Sequence, residues 1–490
     1  MLFSLLLAIF AVGCEDLDVP NENDPDFAKA FANPSDIRGV AGSLLNTWFQ
    51  TAHEYEGPGL GLWVAADAGT CSWGNAGMRV LSTQPRLPFD NTPAYQDAAI
   101  SETYYKWMYS VLSSANEVLG KTVIEGVKIT AEDGSDQTPS TNAFAHFAQG
   151  ISLGYIGLLY DQGYISSEHT DLTVALPLSP YKEVIDSALS FLDKAIAVCA
   201  SNNFNLPDTW VPGIPMDNNK LWRLANSFAA RILSYSARNA TDNDAINWQR
   251  VYDYAKNGID YDFSPLADDI VWYTLYHTYA NFQGWGQTDM RIVNMMDPDM
   301  PAQWPGANGF EVIPAPKTDV AAAFDDRIVT DFQFLSSCPF RAERGYYHFS
   351  CYRFSRRDDY LATWTTPMPD MYKAENDLLL AEAALHLNKL NEAATIINLG
   401  TRVTRGGLPA VAENAAAIEA AIFHERNIEL YCSGLGIEFF TMRKANKLQP
   451  GTFLHFPIPG QQLEVNTLDY YTFGPDLGTP GIDYSTGGWF

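Results

Sequence analysis

The chain has few basic residues and little charge overall. Lysine and arginine together number 31 against 58 aspartates and glutamates, charged residues make up 18%, and the formal net charge is −27. No cationic surplus exists to displace phosphate counterions, which excludes nucleic-acid binding and adhesion to an anionic lipid surface. Cysteine is scarce as well. Cys14, Cys71, Cys199, Cys338, Cys351 and Cys432 include no CxxC pair, so zinc-ribbon and thioredoxin-type chemistry is ruled out. The eight histidines show neither HxH nor HxxxH spacing, and neither a metal site nor a cofactor is expected. No run reaches eighteen apolar residues, which excludes a spanning helix.

What remains is a well-packed globular chain of 490 residues, 47% hydrophobic, with 12 Trp, 25 Tyr and 27 Phe. That is more aromatic surface than plain Leu/Ala repeats require. The first residues set an address. Leu2 to Gly13 is apolar apart from Ser4, and twelve helical residues rise only about 18 Å, so the stretch reads as the core of a signal peptide over 1–13. Gly13-Cys14 resembles a bacterial lipobox, with Ala11 where leucine is usual, and implies lipidation at Cys14. Residues 14–34, opening Glu15-Asp16-Leu17-Asp18, form an acidic solvated tether.

The body over 35–490 reads mostly as helices. Asn33-Pro34-Ser35 caps a run in which Ile37, Ala41, Leu44, Leu45, Trp48 and Phe49 fall on one face. The same spacing predicts helices over 104–119, 143–161, 184–199, 219–238, 370–387, 391–403 and 415–432, with short strands near 310–314 and 346–354. Short turns between them point to a tetratricopeptide-like helical-repeat scaffold. Three parts are expected, about 35–260, a loop-rich ligand region 261–365, and 366–490.

Residues 121–142 read as a polar loop, while 54–96 and 260–310 read as long irregular segments carrying aromatics, and aromatic loops of that length are functional more often than disordered. A sugar ring stacks its C–H face on indole or phenol while its hydroxyls need amide and charged partners. Trp73, Asn75 and Arg79 supply platform, amide and guanidinium within seven positions. Trp285 stands between Gly284 and Gly286, and Tyr279 and Trp304 are further stacking candidates. These six are the expected ligand-binding residues, and no catalytic residue is assigned. Gly150-Ile151-Ser152-Leu153-Gly154 matches G-x-S-x-G but lies inside a helical run without a strand or turn, so it reads as a small-residue helix contact. Gly57, Gly59 and Gly61 have no strand before them and no capped helix after, so they make no phosphate loop. Asp67, Asp90, Asp97, Asp268, Asp269 and Asp289 are the carboxylates that a glycosidase-like pair would draw on. Cys338 and Cys351 are spaced to clip a loop in an oxidising compartment, while Cys199 and Cys432 read as buried apolar residues.

The C-terminal third carries a family pattern. Phe423-His424-Glu425-Arg426-Asn427-Ile428-Glu429-Leu430 resembles the HERxxEL helix of the SusD/RagB family, and Glu438 to Lys444 resembles its G-x-R-x-F-D-L-x-R segment, with Ile437 in place of Arg and Thr441 in place of Asp. Phe456-Pro457-Ile458-Pro459 with Leu463-Glu464-Val465-Asn466 resembles the PIPxxELxxN tail, and Trp107 to Leu119 resembles an N-terminal family helix. In the HERxxEL helix, Ile422, Ile428 and Leu430 are expected inward, with Glu425, Arg426 and Glu429 pairing along the helix. The resemblance implies a SusD-like fold and a lipid-anchored outer-membrane protein exposed at the cell surface. It implies capture of an oligosaccharide, or of a peptide as in RagB-like members, and delivery to a SusC-like TonB-dependent transporter without catalysis. A secreted helical glycan-degrading enzyme is the competing reading.

Overall fold

The computed structural model describes residues 31–70, 74–83, 86–302, 315–336 and 350–474. The signal-like run, Cys14, Trp73, Trp304, Cys71, Cys338 and the 310–314 stretch lie outside the described residues, and with them the Cys338–Cys351 pairing.

In chain order the elements used below are α1 (Pro34–Ala52), α2 (Pro58–Ala65), β1 (Gly69–Thr70), α3 (Met78–Ser82), α4 (Ala99–Leu119), α5 (Thr138–Leu159), β2 (Gln162–Tyr164), β3 (Leu178–Pro180), α6 (Tyr181–Ser201), α7 (Asn218–Tyr235) and α8 (Trp248–Lys256). They continue with α9 (Leu275–Asn281), β4 (Gln287–Thr288), α10 (Met290–Met296), β5 (Phe332–Phe334), β6 (Tyr352–Phe354), α11 (Lys373–His386), α12 (Leu390–Leu399), α13 (Ala415–Ile428) and α14 (Ile437–Lys444). The architecture is mostly helical, as the periodicity predicts. Among the described residues the strands form two-stranded antiparallel pairs, β1 with β4, β2 with β3 and β5 with β6.

Local chemistry starts the helices where expected. The Asn33 side chain accepts from Asp36 N at 3.1 Å to open α1, and Asp217 accepts from Lys220 N at 2.7 Å to open α7. Packing then aligns them. The helix α5 is buried along nearly its whole length, and its glycines let neighbours approach closely. A Cβ at Gly150 would lie 2.5 Å from Leu192 Cγ of α6, and one at Gly154 would lie 2.4 Å from Ile232 Cδ1 of α7. The G-x-S-x-G match is therefore a helix-packing seam. Ser152 lies on it, fully buried, its hydroxyl without a hydrogen-bond partner.

Two arginines satisfy the last carbonyls of α5, which a helix C-terminus otherwise leaves orphaned. Arg238 donates to Gly157 O at 2.6 Å and Tyr160 O at 3.1 Å, and Arg443 of α14 donates to Leu158 O at 3.0 Å, Tyr235 O and Leu454 O. A third buried guanidinium crosses the body. Arg231 binds Glu375 through Nε and Nη2 at 2.8 and 2.6 Å and Asp370 through Nη1 at 2.8 Å, while His53, at the C-terminal end of α1, meets Asp370 at 3.2 Å. One apolar core, from Phe31 to Phe473, encloses these networks.

The two long excursions are more regular than the sequence indicates. Pro58 to Ala65 is a helix in which every residue is buried, so it shows no amphipathic period, and Gly59 and Gly61 lie inside it. Burial on all sides overrides the low helix propensity of its glycines. The second excursion contains α9 and α10. Residues 121–142 also have order: Thr130 bridges Asp136, and α5 already begins at Thr138.

Candidate functional site

The two aromatic-bearing segments meet. The β1–β4 ladder pairs Gly69 with Thr288 and Thr70 with Gln287, which brings the strand leading toward Asn75 and Arg79 beside the one that follows Trp285. Trp63, 1% exposed, explains both glycines at this junction. A Cβ at Gly69 would fall 1.8 Å from its indole Cζ2, and one at Gly286 would fall 3.1 Å from its Cη2. The corner is held by buried donors. Arg291 donates to Asp67 O at 2.9 Å and Ala66 O at 3.1 Å, Arg86 donates to Asp67 Oδ1 at 3.0 Å and Ala65 O at 3.2 Å, and Tyr431 Oη donates to Ala68 O at 3.0 Å. Burial, with the Asp67 carboxylate nearby, pushes the Asp289 carboxyl well above its ordinary range.

On this base stands an aromatic step. Residues 282–285 turn with Trp285 N donating to Phe282 O at 3.0 Å, and Gly284 sits at φ +87°, the left-handed position that glycine occupies without strain. The turn folds Phe282 and Trp285 against α9. Trp285 lies 5.4 Å from the Tyr279 ring and 4.9 Å from the Phe282 ring, centroid to centroid. Tyr279 is buried at 4% exposure, so it supports the step from below and offers no outward face. Trp285 is 44% exposed and Phe282 40%. Asn75 and Arg79 are also exposed, around a left-handed Gly74. Phe282 is the residue sequence reading overlooked, and the F-x-G-W turn was its available signal.

Four of the six acidic candidates have structural work. Asp67 is buried against Arg86, and the Asp289 carboxylate accepts from Arg291 N to cap α10. The Asp268 carboxylate accepts from Ile270, Val271 and Trp272 N at 2.7–2.9 Å, and Asp90 accepts from Thr92 N. No group of three or more His, Cys, Asp or Glu fit to hold a metal ion occurs among the described residues.

The HERxxEL helix behaves differently from the amphipathic reading. Glu425, Arg426 and Glu429 are 1–2% exposed and pair with distant segments instead of along α13. Arg327 grips Glu425 at 2.8 Å through both terminal nitrogens and Asp325 at 2.9 and 2.8 Å. Arg405 binds Glu429 at 2.6 Å and Asp331 at 2.8 Å, and Arg426 meets Glu382, which Lys444 of α14 also reaches at 2.9 Å. Burial opposes the charge on Asp325, yet hydrogen bonds from His424 and Arg327 hold its pKa down at about 2. Ile422, Ile428 and Leu430 are buried as expected, and so are Cys199 and Cys432.

No protein-family model matches the chain, and no curated protein matches it. Solved structures do. A SusD superfamily protein from Bacteroides vulgatus is 14% identical with a TM-score of 0.60, the alignment covering 89% of this chain and 97% of that one. A SusD superfamily protein from Parabacteroides distasonis is 12% identical with a TM-score of 0.59 over 89% and 97%. A SusD-like carbohydrate binding protein from Bacteroides vulgatus is 15% identical with a TM-score of 0.50 over 84% and 82%. The chain has the SusD-like fold.

Proposed function

We propose that this protein is a SusD/RagB-type nutrient-binding lipoprotein of the cell surface. It captures an oligosaccharide on the aromatic step at Phe282 and Trp285 and passes it to a SusC-like TonB-dependent transporter without breaking a bond. The observation that carries the reading is the β1–β4 junction. Two segments far apart in sequence converge there, one presenting partly exposed rings and the other an exposed amide and guanidinium. A flat ring below and hydrogen-bonding groups beside it are what a pyranose requires. One solved neighbour of the same fold is a SusD-like carbohydrate binding protein, which supports a glycan guest. Trp73 and Trp304 belong to the same two segments and are further stacking residues in this proposal, and Cys14 is the acylated anchor.

The structural roles of Asp67, Asp268 and Asp289 favour binding over glycan cleavage, since none is free to act as acid or nucleophile. Isothermal titration of protein beginning after Cys14 against a glycan and peptide panel, with a parallel assay for released reducing ends, tests the proposal. Saturable glycan binding without new reducing ends is expected. Reducing ends released at a steady rate would replace it with the enzyme reading.

A further inference from the structure

Away from the aromatic step, α11, α12 and α13 enclose a cavity of about 310 Å³, large enough for a monosaccharide. Its floor is the buried ion network described above, in which Glu425 and Glu429 already have their cations. Arg402 stands apart from that balance. It is half-buried, lines the cavity, and among the described residues the one hydrogen bond of its side chain is from Nε to Pro409 O at 3.2 Å. A guanidinium carries five N–H donors, so the four on the two terminal nitrogens remain, the pair that makes a fork-to-carboxylate contact. Arg356, also on the lining, directs Nη1 to the Glu429 carboxylate at 3.1 Å, with Asp331 at 3.7 Å, and its guanidinium rests on Tyr372, 4.8 Å from the ring centroid. Arg357 shares that ring at 5.5 Å. Burial lowers the pKa of both Arg402 and Arg357, as removal from water does for any cation.

Part of the lining is apolar, with Leu378 and Ile397 buried. Lys373 and Asp377, paired with each other at the rim, and the exposed Asp262 offer polar contacts there. Spare guanidinium donors, an apolar part of the lining and a polar rim together match one class of guest: a sugar acid, with a carboxylate, a C–H face and hydroxyls.

We propose that this cavity is a second binding site, specific for a hexuronate unit, whose carboxylate is held by Arg402 and Arg356. It is independent of the aromatic step. The test is titration of the soluble protein with galacturonate and glucuronate, beside galactose, glucose and inorganic sulfate. Saturable uronate binding is expected, with neutral sugars at least tenfold weaker. Arg402→Gln should weaken uronate binding at least tenfold with unchanged circular dichroism, and Arg402→Lys, which keeps the charge but loses the fork, should weaken it by a smaller factor. Trp285→Ala should leave it unchanged, so failure here and failure of the aromatic step are told apart. Absence of saturable uronate binding, equal binding of galactose or sulfate, or insensitivity to both Arg402 variants would overturn the assignment.

Discussion

Trp285→Ala is the perturbation that bears most directly on function. A tryptophan carries roughly 250 Å² of surface, and at 44% exposure about 110 Å² of it faces outward. Burying all of that under a guest at about 25 cal/mol per Å² sets a ceiling near ~2.7 kcal/mol. A pyranose covering about half of it, with the benefit of its C–H geometry, leaves an expected loss of about 1–2.5 kcal/mol, or roughly 5- to 70-fold in Kd. The rest of the indole rests on Tyr279 and Phe282, so the variant also loses about 1–2 kcal/mol of packing. For a chain this long, with unfolding entropy near ~2 cal/mol/K per residue, that moves Tm by only about 1–2 °C. Isothermal titration and differential scanning fluorimetry read the two effects separately. Affinity unchanged within about twofold, together with a Tm drop beyond about 5 °C, would make Trp285 a core plug and refute the stacking argument.

Other outcomes follow from the buried polar groups. Ser152→Ala removes a buried hydroxyl that has no partner, so chemical denaturation should show stability unchanged or raised by up to ~1 kcal/mol, with ligand binding intact. A clear loss of either would restore a role for the G-x-S-x-G serine. Arg327→Met leaves Glu425 and Asp325 buried without their cation, and a loss of about 3–5 kcal/mol is expected in guanidinium melts. A cost below about 1 kcal/mol would mean the network contributes little. Burial pushes the Glu438 carboxyl up to about 7, so the folded state holds a proton that the unfolded chain releases near pH ~4.5. Its contribution is intact at low pH and declines as pH rises through that window, by about 2–3 kcal/mol in all. Glu438→Gln should match the parent near pH 4.5 and exceed it by about that amount at pH 8. A stability difference that stays flat across this range would show that Glu438 does not titrate there.

Helix periodicity was readable because a partly solvated helix must separate apolar from polar residues every 3.6 positions, as α1, α4, α6 and α7 do. The N-cap at Asn33 was readable for the same local reason. The helix α2 was hidden because it is buried on every side, which leaves no alternation to detect. Glu425, Arg426 and Glu429 looked like a solvated face because charge usually means exposure. Here their partners Arg327, Glu382 and Arg405 come from 24 to 98 positions away.

Local patterning alone thus determined the helical class, the long helices with their ends to within about five residues, and the stretches rich in rings. Those depend on neighbours three or four positions apart, and the chain carries that information directly. That the two aromatic stretches pair was decided by a two-residue ladder and by Trp63 pressing on Gly69 and Gly286. Residues far apart in the chain meet there in the packed body. Burial and pairing at that distance are properties of the packed body, and one-dimensional spacing does not encode them.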